Sequence, residues 1–339
     1  MASMTIKDIA RISGCSVSTI SRVINDRPDV RPETKERVLQ VMREAGFVPN
    51  TNARQLKIQQ SRSLVFVVKG TRNIFFSDFL VQLQRAANLY GYNGIVSYLD
   101  ENANEVDAAE KILREIKPKG MIFLGGSVTN FQKGFANISV PSVLVTIVSN
   151  ELDFPNLSMV GVDDRAAAHT AVSHLIAQGH RKIAVLGGPA TSYPSRMRLL
   201  GAQDAMEDAG LRFDEKLFGL SNYDFESAYH AMNSLLARRA EFTALFAMSD
   251  VIAFGAIRAL VSAGFRVPED ISVIGFDGIT MSRYCVPVMT TIVQPSEQIA
   301  LQSIELLVRQ IEHGAPAQTV TLQPELQPGE SVRPCRTPL

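Results

Sequence analysis

Apolar residues recur at helical spacing three times within the first 46 residues, and each recurrence predicts a short amphipathic helix. Boundary signals accompany them, since Thr5 and Asp8 have capping-box spacing, Gly14 suits a helix end and Pro32 suits a first helical turn. The three apolar stripes are Ile6, Ile9, Ala10 and Ile12, then Val17, Ile20, Val23 and Ile24, then Val38, Leu39, Val41, Met42 and Ala45. Such a domain has a small core, so we expect binding or dimerisation to help stabilise it.

The second predicted helix has a polar face that suits a nucleic-acid groove. Ser16 is placed to cap its first turn. Opposite the apolar stripe lie Ser18, Thr19, Ser21 and Arg22. Two short helices joined by a tight turn and followed by a third helix predict a helix-turn-helix head over residues 1–49.

After residue 60 the pattern changes to apolar runs that alternate with amphipathic stretches, which predicts an α/β fold with parallel sheets. Strands are expected at 64–68, 94–98, 121–124, 143–148, 159–162, 183–186, 245–248 and 273–276, and helices at roughly 77–90, 104–117, 165–178, 196–210, 226–238 and 251–263. The segment after residue 60 is longer than a single hydrophobic core usually supports, so we expect it to form two lobes.

Charge singles out the same N-terminal segment. Residues 1–60 contain ten Lys or Arg and six Asp or Glu, a net charge of +4, whereas the whole chain has 34 of each and the remainder is therefore −4. A polyanionic partner is expected at the N-terminus, because phosphate contacts dominate sequence-independent binding to DNA. Charge alone does not distinguish a DNA-binding surface from an ordinary solvated helix face. The helix-turn-helix spacing favours DNA binding.

Other classes of protein are less compatible with the sequence. Cys15, Cys285 and Cys335 lie far apart without a CxxC motif, so we expect no disulfide and a reducing, cytoplasmic setting. We expect no signal peptide, because the first residues contain charges and no apolar h-region, and we expect no membrane-spanning segment, because no apolar run is long enough. The common catalytic and phosphate-binding motifs are absent and the five histidines lack metal-ligand spacing, so we expect no enzyme, metal or cofactor. Asp163 and Asp164 suit a helix start better than a catalytic pair.

Several motifs together resemble the LacI/GalR family of bacterial transcription regulators. They are TIKDIARISGCSVSTISRVIN at 5–25, VPNTNARQL at 48–56, HLIAQGHRKIAVLGG at 174–188, PEDISVIGFD at 268–277 and TTIVQP at 290–295. The resemblance covers nearly the whole chain. It implies a helix-turn-helix head, a hinge and a two-lobed body like the type I periplasmic binding proteins.

The resemblance also implies which head residues contact DNA. The second helix would lie in the major groove, with Val17, Ser18 and Arg22 at base edges, and Arg22 can bond guanine O6 and N7 together. Positions that match phosphate contacts are Thr5, Ser16, Thr19, Ser21, Asn25 and Thr34. For Ser16, a plain helix cap is an equal alternative. Arg31 stands where a capping Ser is commoner, which predicts a weakly capped third helix.

Residues 50–61 resemble the family's hinge helix and linker. Leu56 matches the side chain that the family inserts between base steps in the minor groove, which bends the duplex. Lys57 departs from the usual small residue and can add a phosphate contact. The alternative is a linker in which Leu56 packs on the body. The hinge residues expected in the minor groove are Asn50, Ala53, Arg54, Leu56 and Lys57.

The resemblance places the body at 62–339, with lobe one at 62–160 and 292–323 and lobe two at 162–290 and 324–332. Ligands of open α/β sheets bind at the carboxyl ends of the strands. Residues expected there are Phe76, Ser127, Ser192, Ser195, Arg198, Phe225, Ser249, Asp277 and Gln294. The carboxylate of Asp277 and the guanidinium of Arg198 can bond the hydroxyls of a polyol, and the aromatic rings can face its C–H groups. Alternatively, the two Phe side chains belong to the core and Arg198 forms a lobe–lobe ion pair.

The sequence therefore predicts a homodimeric repressor of a carbohydrate-utilisation operon that binds a pseudo-palindromic operator. A small sugar-like effector in the cleft would change the lobe arrangement and so the hinge. Two alternatives stay open. One is a family regulator controlled by a protein coregulator or by a non-sugar ligand such as a nucleobase, and the other is a sugar-processing enzyme fused to a DNA-binding head.

Overall fold

The computed structural model describes residues 4–24, 27, 29–47, 62–70 and 74–335. The chain divides into two compact units, Met1–Gln59 and Gln60–Leu339. Some predicted DNA-contacting residues lie outside the described residues, so their roles stay predictions. They are Asn25 of the head and the hinge residues Asn50, Ala53, Arg54, Leu56 and Lys57.

The N-terminal unit contains three helices, α1 (Ile6–Ser13), α2 (Val17–Ile24) and α3 (Pro32–Glu44). The predicted capping box is confirmed, since Asp8 N–H donates to Thr5 Oγ1 and Thr5 N–H donates to Asp8 Oδ2. The α3 N-cap residue, Arg31, makes no side-chain capping bond, as predicted. Buried apolar side chains from all three helices form one core, consisting of Ile9, Ala10, Ile20, Val23, Val38 and Met42.

The C-terminal unit contains two six-stranded sheets with helices on their faces. Its first elements in chain order are β1 (Ser63–Lys69), α4 (Ile74–Leu89), β2 (Asn93–Leu99), α5 (Glu105–Ile116), β3 (Gly120–Leu124), α6 (Val128–Gly134), β4 (Ser142–Val145), β5 (Leu157–Val162), α7 (Asp164–Ala177), β6 (Ile183–Gly187) and α8 (Tyr193–Asp208). The later elements are β7 (Phe218–Leu220), α9 (Phe225–Ala237), β8 (Ala244–Ala247), α10 (Asp250–Ser262), β9 (Ser272–Asp277), β10 (Thr290–Val293), α11 (Ser296–His313), β11 (Thr319–Leu322) and β12 (Glu325–Gln327).

The first sheet has the order β11-β5-β4-β3-β1-β2 and is parallel throughout. The second has the order β12-β10-β9-β8-β6-β7, in which only β12 is antiparallel among the described pairings. Strands such as β3, β6 and β9 are buried along their whole length, because helices cover both faces of each sheet. The eight predicted strands are all present within a few residues of their expected bounds.

The chain passes between the two sheets three times, after Val162, after Val293 and between Leu322 and Glu325. The second crossing corrects the sequence-based boundary near Thr291. Ile292 pairs with Phe276 in the parallel ladder of the second sheet and is buried there, so β10 belongs to the second lobe up to Val293. Among the described residues, no helix is long and apolar enough to cross a membrane.

Candidate functional site

The exposed face of α2 carries the residues that the sequence assigns to base contacts. Val17 is 43% exposed although it is apolar, and Ser18 and Arg22 are also exposed. On the opposite side of the helix, Ile20 and Val23 are buried in the core. The Arg22 guanidinium lies 3.5 Å from Asp29 in an ion pair that is more than half exposed. Such pairs contribute little energy, so Arg22 remains available to another partner.

The hydroxyl groups assigned to phosphate contacts lie mostly at helix starts. Ser16 Oγ accepts a hydrogen bond from the Thr19 N–H at 3.1 Å, so the alternative role of Ser16 as a helix cap has the required geometry. The Thr5 hydroxyl lies 2.6 Å from Asp8 Oδ2 within the α1 capping box. Ser21 is exposed on α2, and Thr34 is half-buried in the first turn of α3.

A cleft of about 190 Å³ lies between the two lobes of the C-terminal unit. Side chains that follow the carboxyl ends of strands from both sheets line it, as expected for open α/β sheets. Six of the nine residues predicted from the sequence are in this lining, namely Phe76, Ser127, Ser192, Arg198, Asp277 and Gln294.

Arg198 of α8 is buried on the second-lobe side of this cleft. Its Nε lies 2.8 Å from Asp164 Oδ1, and its Nη1 lies 3.4 Å from Asp277 Oδ1. Nη1 also donates to the Met248 carbonyl at 2.5 Å, and the guanidinium lies 3.6 Å from the centroid of the Phe276 ring. All these partners belong to the second lobe, so the alternative of a lobe–lobe ion pair for Arg198 is wrong.

Asp277 ends β9 and is held in the left-handed region of backbone space, with φ of 107°. Its Oδ1 accepts a hydrogen bond from Gln294 Nε2 at 2.8 Å. Burial raises the pKa of Asp277 to about 6, against the opposing effects of Arg198 and Gln294. The other amide atom, Gln294 Oε1, is buried and has no hydrogen-bond partner among the described residues. These acceptors can bind hydroxyl groups.

Tyr223 lines the cleft and was missed in the sequence analysis. Its hydroxyl lies 2.6 Å from Ser195 Oγ, and burial raises the pKa of this phenol. Ser195 is not in the cleft lining that the described residues form, so its prediction as a lining residue is corrected. Its hydroxyl instead contacts the Tyr223 hydroxyl and positions that side chain. Ser192, which does line the cleft, caps α8 by accepting from the Ser195 N–H at 3.4 Å.

Two other predicted residues are not in the cleft lining that the described residues form. Phe225, at the start of α9, is partly exposed, and its ring packs 6.3 Å from that of Phe254. Ser249 is buried and caps α10 by accepting a hydrogen bond from the Ile252 N–H at 3.1 Å. Their side chains are therefore used in helix packing and helix capping.

Four polar residues of the first lobe line the cleft and were missed, namely Lys69, Glu101, Asn102 and Thr146. Lys69 directly follows the first predicted strand, so its position at a strand end was a usable signal.

Asp163 and Asp164 lie at the start of α7, as predicted, and have different roles there. Asp163 caps α7 by accepting from the Ala166 N–H at 3.0 Å, whereas Asp164 is buried against Arg198.

Asp250, the first residue of α10, is a further buried acid, and the sequence analysis missed it. It accepts hydrogen bonds from Thr291 Oγ1 at 2.5 Å and from the Ile279 N–H at 2.9 Å. Burial and the neighbouring Asp277 raise its pKa to about 8. Asp250 therefore lies beside Asp277 of the cleft and also holds the Ile279 N–H of the segment that follows β9.

Comparisons with known proteins agree with this geometry. The family of bacterial regulatory proteins named lacI matches residues 5–50, and a periplasmic binding protein-like domain matches residues 172–332. Over 326 residues the chain is 37% identical to the HTH-type transcriptional regulator MalR of Clostridium butyricum, covering 95% of this chain and 97% of that protein. The chain belongs to the LacI family. This LacI-family protein is a DNA-binding transcriptional regulator.

Further LacI-family similarities span the whole regulator. The Ribose operon repressor of Haemophilus influenzae is 30% identical over 330 residues, which cover 97% of this chain and 98% of that protein. The solved structure of a transcriptional regulator CelR–cellobiose complex is 27% identical with a TM-score of 0.73, covering 97% of this chain and 100% of that one. The predicted fold, a helix-turn-helix head with a periplasmic-binding-protein-like body, is thereby confirmed.

Proposed function

We propose that this regulator represses carbohydrate-utilisation genes, and that a sugar or sugar derivative in the interlobe cleft changes its affinity for operator DNA. The observation that carries the proposal is the buried cluster of Arg198, Asp277 and Gln294 on the second-lobe side of the cleft. The similar proteins point the same way, since one is a ribose operon repressor and another is a complex with cellobiose.

The chemistry of the cluster suits hydroxyl groups. Asp277 presents a carboxylate and Gln294 presents an unpartnered carbonyl oxygen, so two neighbouring hydroxyls can donate to them. Phe76 lines the same cleft and offers an aromatic surface to the C–H groups of a sugar ring. The Tyr223 hydroxyl, held by Ser195, can donate or accept according to the ligand.

The proposed DNA contacts lie on the exposed face of α2 and in the hinge. Arg22 supplies a bidentate contact to guanine, and Val17 supplies an apolar contact such as one to a thymine methyl. Ser16, Thr19 and Ser21 position the helix through phosphates, which fix its register without reading sequence. Leu56 of the hinge is proposed to wedge into the minor groove.

A homodimer is proposed because two heads are needed to read two half-sites. Exposed apolar side chains on both lobes support an interface between copies. In the first lobe, β2 forms an edge of its sheet, and Leu89, Ile95, Val96 and Tyr98 are exposed around it. In the second lobe, Tyr284 is 82% exposed and Val286 is 94% exposed. Apolar surface and an open strand edge of this kind favour association.

Two polar contacts join the lobes and give the cleft a means of control. Arg196 of α8 lies 2.9 Å from Glu151 of the first lobe, and Thr280 Oγ1 donates to Asp78 Oδ2 of α4 at 2.9 Å. A ligand that touches both lobes changes their preferred arrangement only if it binds one arrangement more tightly. The proposed effector works through this difference in affinity.

The test measures operator binding by fluorescence anisotropy, on an operator selected from random duplexes. Pentoses, hexoses, disaccharides, sugar phosphates and nucleobases are added to the wild type, to Asp277→Asn and to the surface control Asp208→Asn. We expect one sugar to change operator affinity in the wild type and the control but not in Asp277→Asn. We also expect the sugar to be recovered unchanged, whereas turnover would support an enzyme.

A response to a nucleobase alone would contradict the proposed sugar effector and identify a non-sugar effector instead. Silence across the panel, from protein that still binds its operator, would contradict small-molecule control and favour a protein coregulator.

A further inference from the structure

The carboxylate of Glu105 is an internal anion behind the first-lobe wall of the cleft. Glu105 begins α5 and is fully buried. Its Oε2 lies 2.7 Å from Lys69 Nζ and accepts a hydrogen bond from Asn130 Nδ2 at 3.0 Å. Its Oε1 accepts a hydrogen bond from the Ser127 N–H at 2.5 Å. Two of these three donor residues, Lys69 and Ser127, also line the cleft.

The donors around Glu105 are of the kind that binds phosphate. An ammonium, a side-chain amide and a backbone N–H give strong charge-assisted hydrogen bonds to an anion. Here the protein's own carboxylate already occupies them. A ligand phosphate at this wall would have to displace Glu105 from Lys69 or bind without a cation from the described residues of the wall.

The second-lobe side of the cleft is neutralised in the same way. Among the described residues that line the cleft, the cations are Lys69 and Arg198. Arg198 is paired with Asp164 and with Asp277. Among the described residues in or directly behind the lining, carboxylates therefore outnumber cations, because Glu101 also lines the cleft. The field of this arrangement opposes the entry of a dianion.

A separate observation shows which chemistry the cleft does demand. Gln294 Oε1 is buried without a hydrogen-bond partner among the described residues. A buried acceptor without a donor is costly, and a ligand that supplies an N–H or O–H removes this cost. A bare phosphate dianion supplies no such donor, whereas the hydroxyls of a sugar do, so Gln294 favours a polyhydroxy ligand and Glu105 opposes its phosphorylation.

We propose that Glu105 is a specificity-determining residue that reserves the cleft for an uncharged polyhydroxy ligand and excludes phosphorylated sugars. This inference rests on the proposed function, because it specifies the charge of the effector at the same site. Glu105 acts by positioning and neutralising Lys69 and by occupying the Ser127 N–H. Its removal converts a filled anion site into an open one.

The experiment uses the full-length protein and isothermal titration calorimetry. Inorganic phosphate, ribose 5-phosphate, ribose and cellobiose are titrated into the wild type, Glu105→Ala, Glu105→Gln and the control Glu110→Gln. The control removes one negative charge from the same helix at a residue that pairs with Arg114 and lies outside the cleft lining. Thermal melts establish that each variant is folded.

We expect Glu105→Ala to bind the phosphate-bearing probes about tenfold more tightly than the wild type, since a cation is released at a partly buried site. Glu105→Gln keeps the side-chain volume and should show a smaller gain, and Glu110→Gln none. If Glu105→Ala does not fold, the gain in Glu105→Gln decides.

The inference is overturned if the wild type binds ribose 5-phosphate more tightly than ribose, or if the folded Glu105 variants keep the wild-type affinity for phosphate. These titrations contain no operator. A failure of sugars to change operator binding, which would contradict the proposed function, is therefore distinguishable from a failure of this inference.

Discussion

Replacing Asp250 by Asn should remove a large part of the pH dependence of stability. The Asp250 carboxyl is fully buried, accepts hydrogen bonds from Thr291 and Ile279, and belongs to none of the described ion pairs. Burial, with repulsion from Asp277, raises its pKa from 3.8 to about 8. The amide of Asn has the same shape, and it can donate to Thr291 Oγ1 while accepting from the Ile279 N–H.

The sign follows from proton linkage. Between the unfolded pKa of 3.8 and the folded pKa of about 8, the folded protein holds a proton on Asp250 that the unfolded chain has released. This contribution to stability is complete below the unfolded pKa and is lost as the pH rises through the folded pKa. At about 1.4 kcal/mol per pH unit, the wild type should lose on the order of 4 kcal/mol between pH 5 and pH 8 through this group. Asp250→Asn should not.

The assay is urea unfolding followed by circular dichroism at pH 5 and pH 8. We expect the free energy of unfolding of Asp250→Asn, relative to the wild type, to increase by a few kcal/mol between the two values. Equal pH dependence in the two proteins would refute the reasoning. Asp270→Asn is the control, because hydrogen bonds from Arg266 lower the pKa of Asp270 to about 2 and its titration is complete below pH 5.

Four further predictions concern stability, DNA and the lobes. Arg198→Met should lower the free energy of unfolding by about 3 kcal/mol because it leaves two buried carboxylates without their cation, and an unchanged urea midpoint would contradict this. Arg22→Ala should weaken specific operator binding by about 1–3 kcal/mol in anisotropy titrations, with no effect expected if it touches no base. Leu56→Ala should weaken specific but spare non-specific DNA binding, and equal operator affinity would exclude the wedge. Thr280→Val removes the hydrogen bond to Asp78 and should shift effector affinity several-fold, whereas identical calorimetric titrations would exclude this lobe contact from control.

The strands of the body were predictable because their signal is strong. Segments such as β3 and β9 are continuous apolar runs that are buried on both faces. Four strands, β7, β10, β11 and β12, were missed. All four are short, and β7, β11 and β12 are also partly exposed. The helix α11 was also missed, although Ile299, Ala300, Ile304 and Leu307 of its buried face have helical spacing and so carried a usable signal.

The site was predictable only where one residue's position was enough. Asp277 directly follows the predicted strand 273–276, and Gln294 lies in the family motif at 290–295, so both could be placed at the cleft. The pairing of Arg198 with Asp164 joins residues 34 positions apart on two helices, and local pattern contains no information about it. Phe225 was misplaced for the same reason, because the direction of its side chain depends on packing against Phe254.

Four consecutive residues, Asp277 to Thr280, connect the ligand cluster to the lobe contact. Asp277 faces the cleft, and Gly278 has φ of 70° with space too small for a Cβ, which would lie 2.7 Å from Val293. The Ile279 N–H is fixed by Asp250, and Thr280 reaches Asp78 of the first lobe. Because close-packed segments do not deform freely, we expect a ligand that displaces Asp277 to displace Thr280 as well. We therefore expect effector binding and lobe arrangement to be coupled through this segment, with a sign that depends on which arrangement gives the effector the better fit.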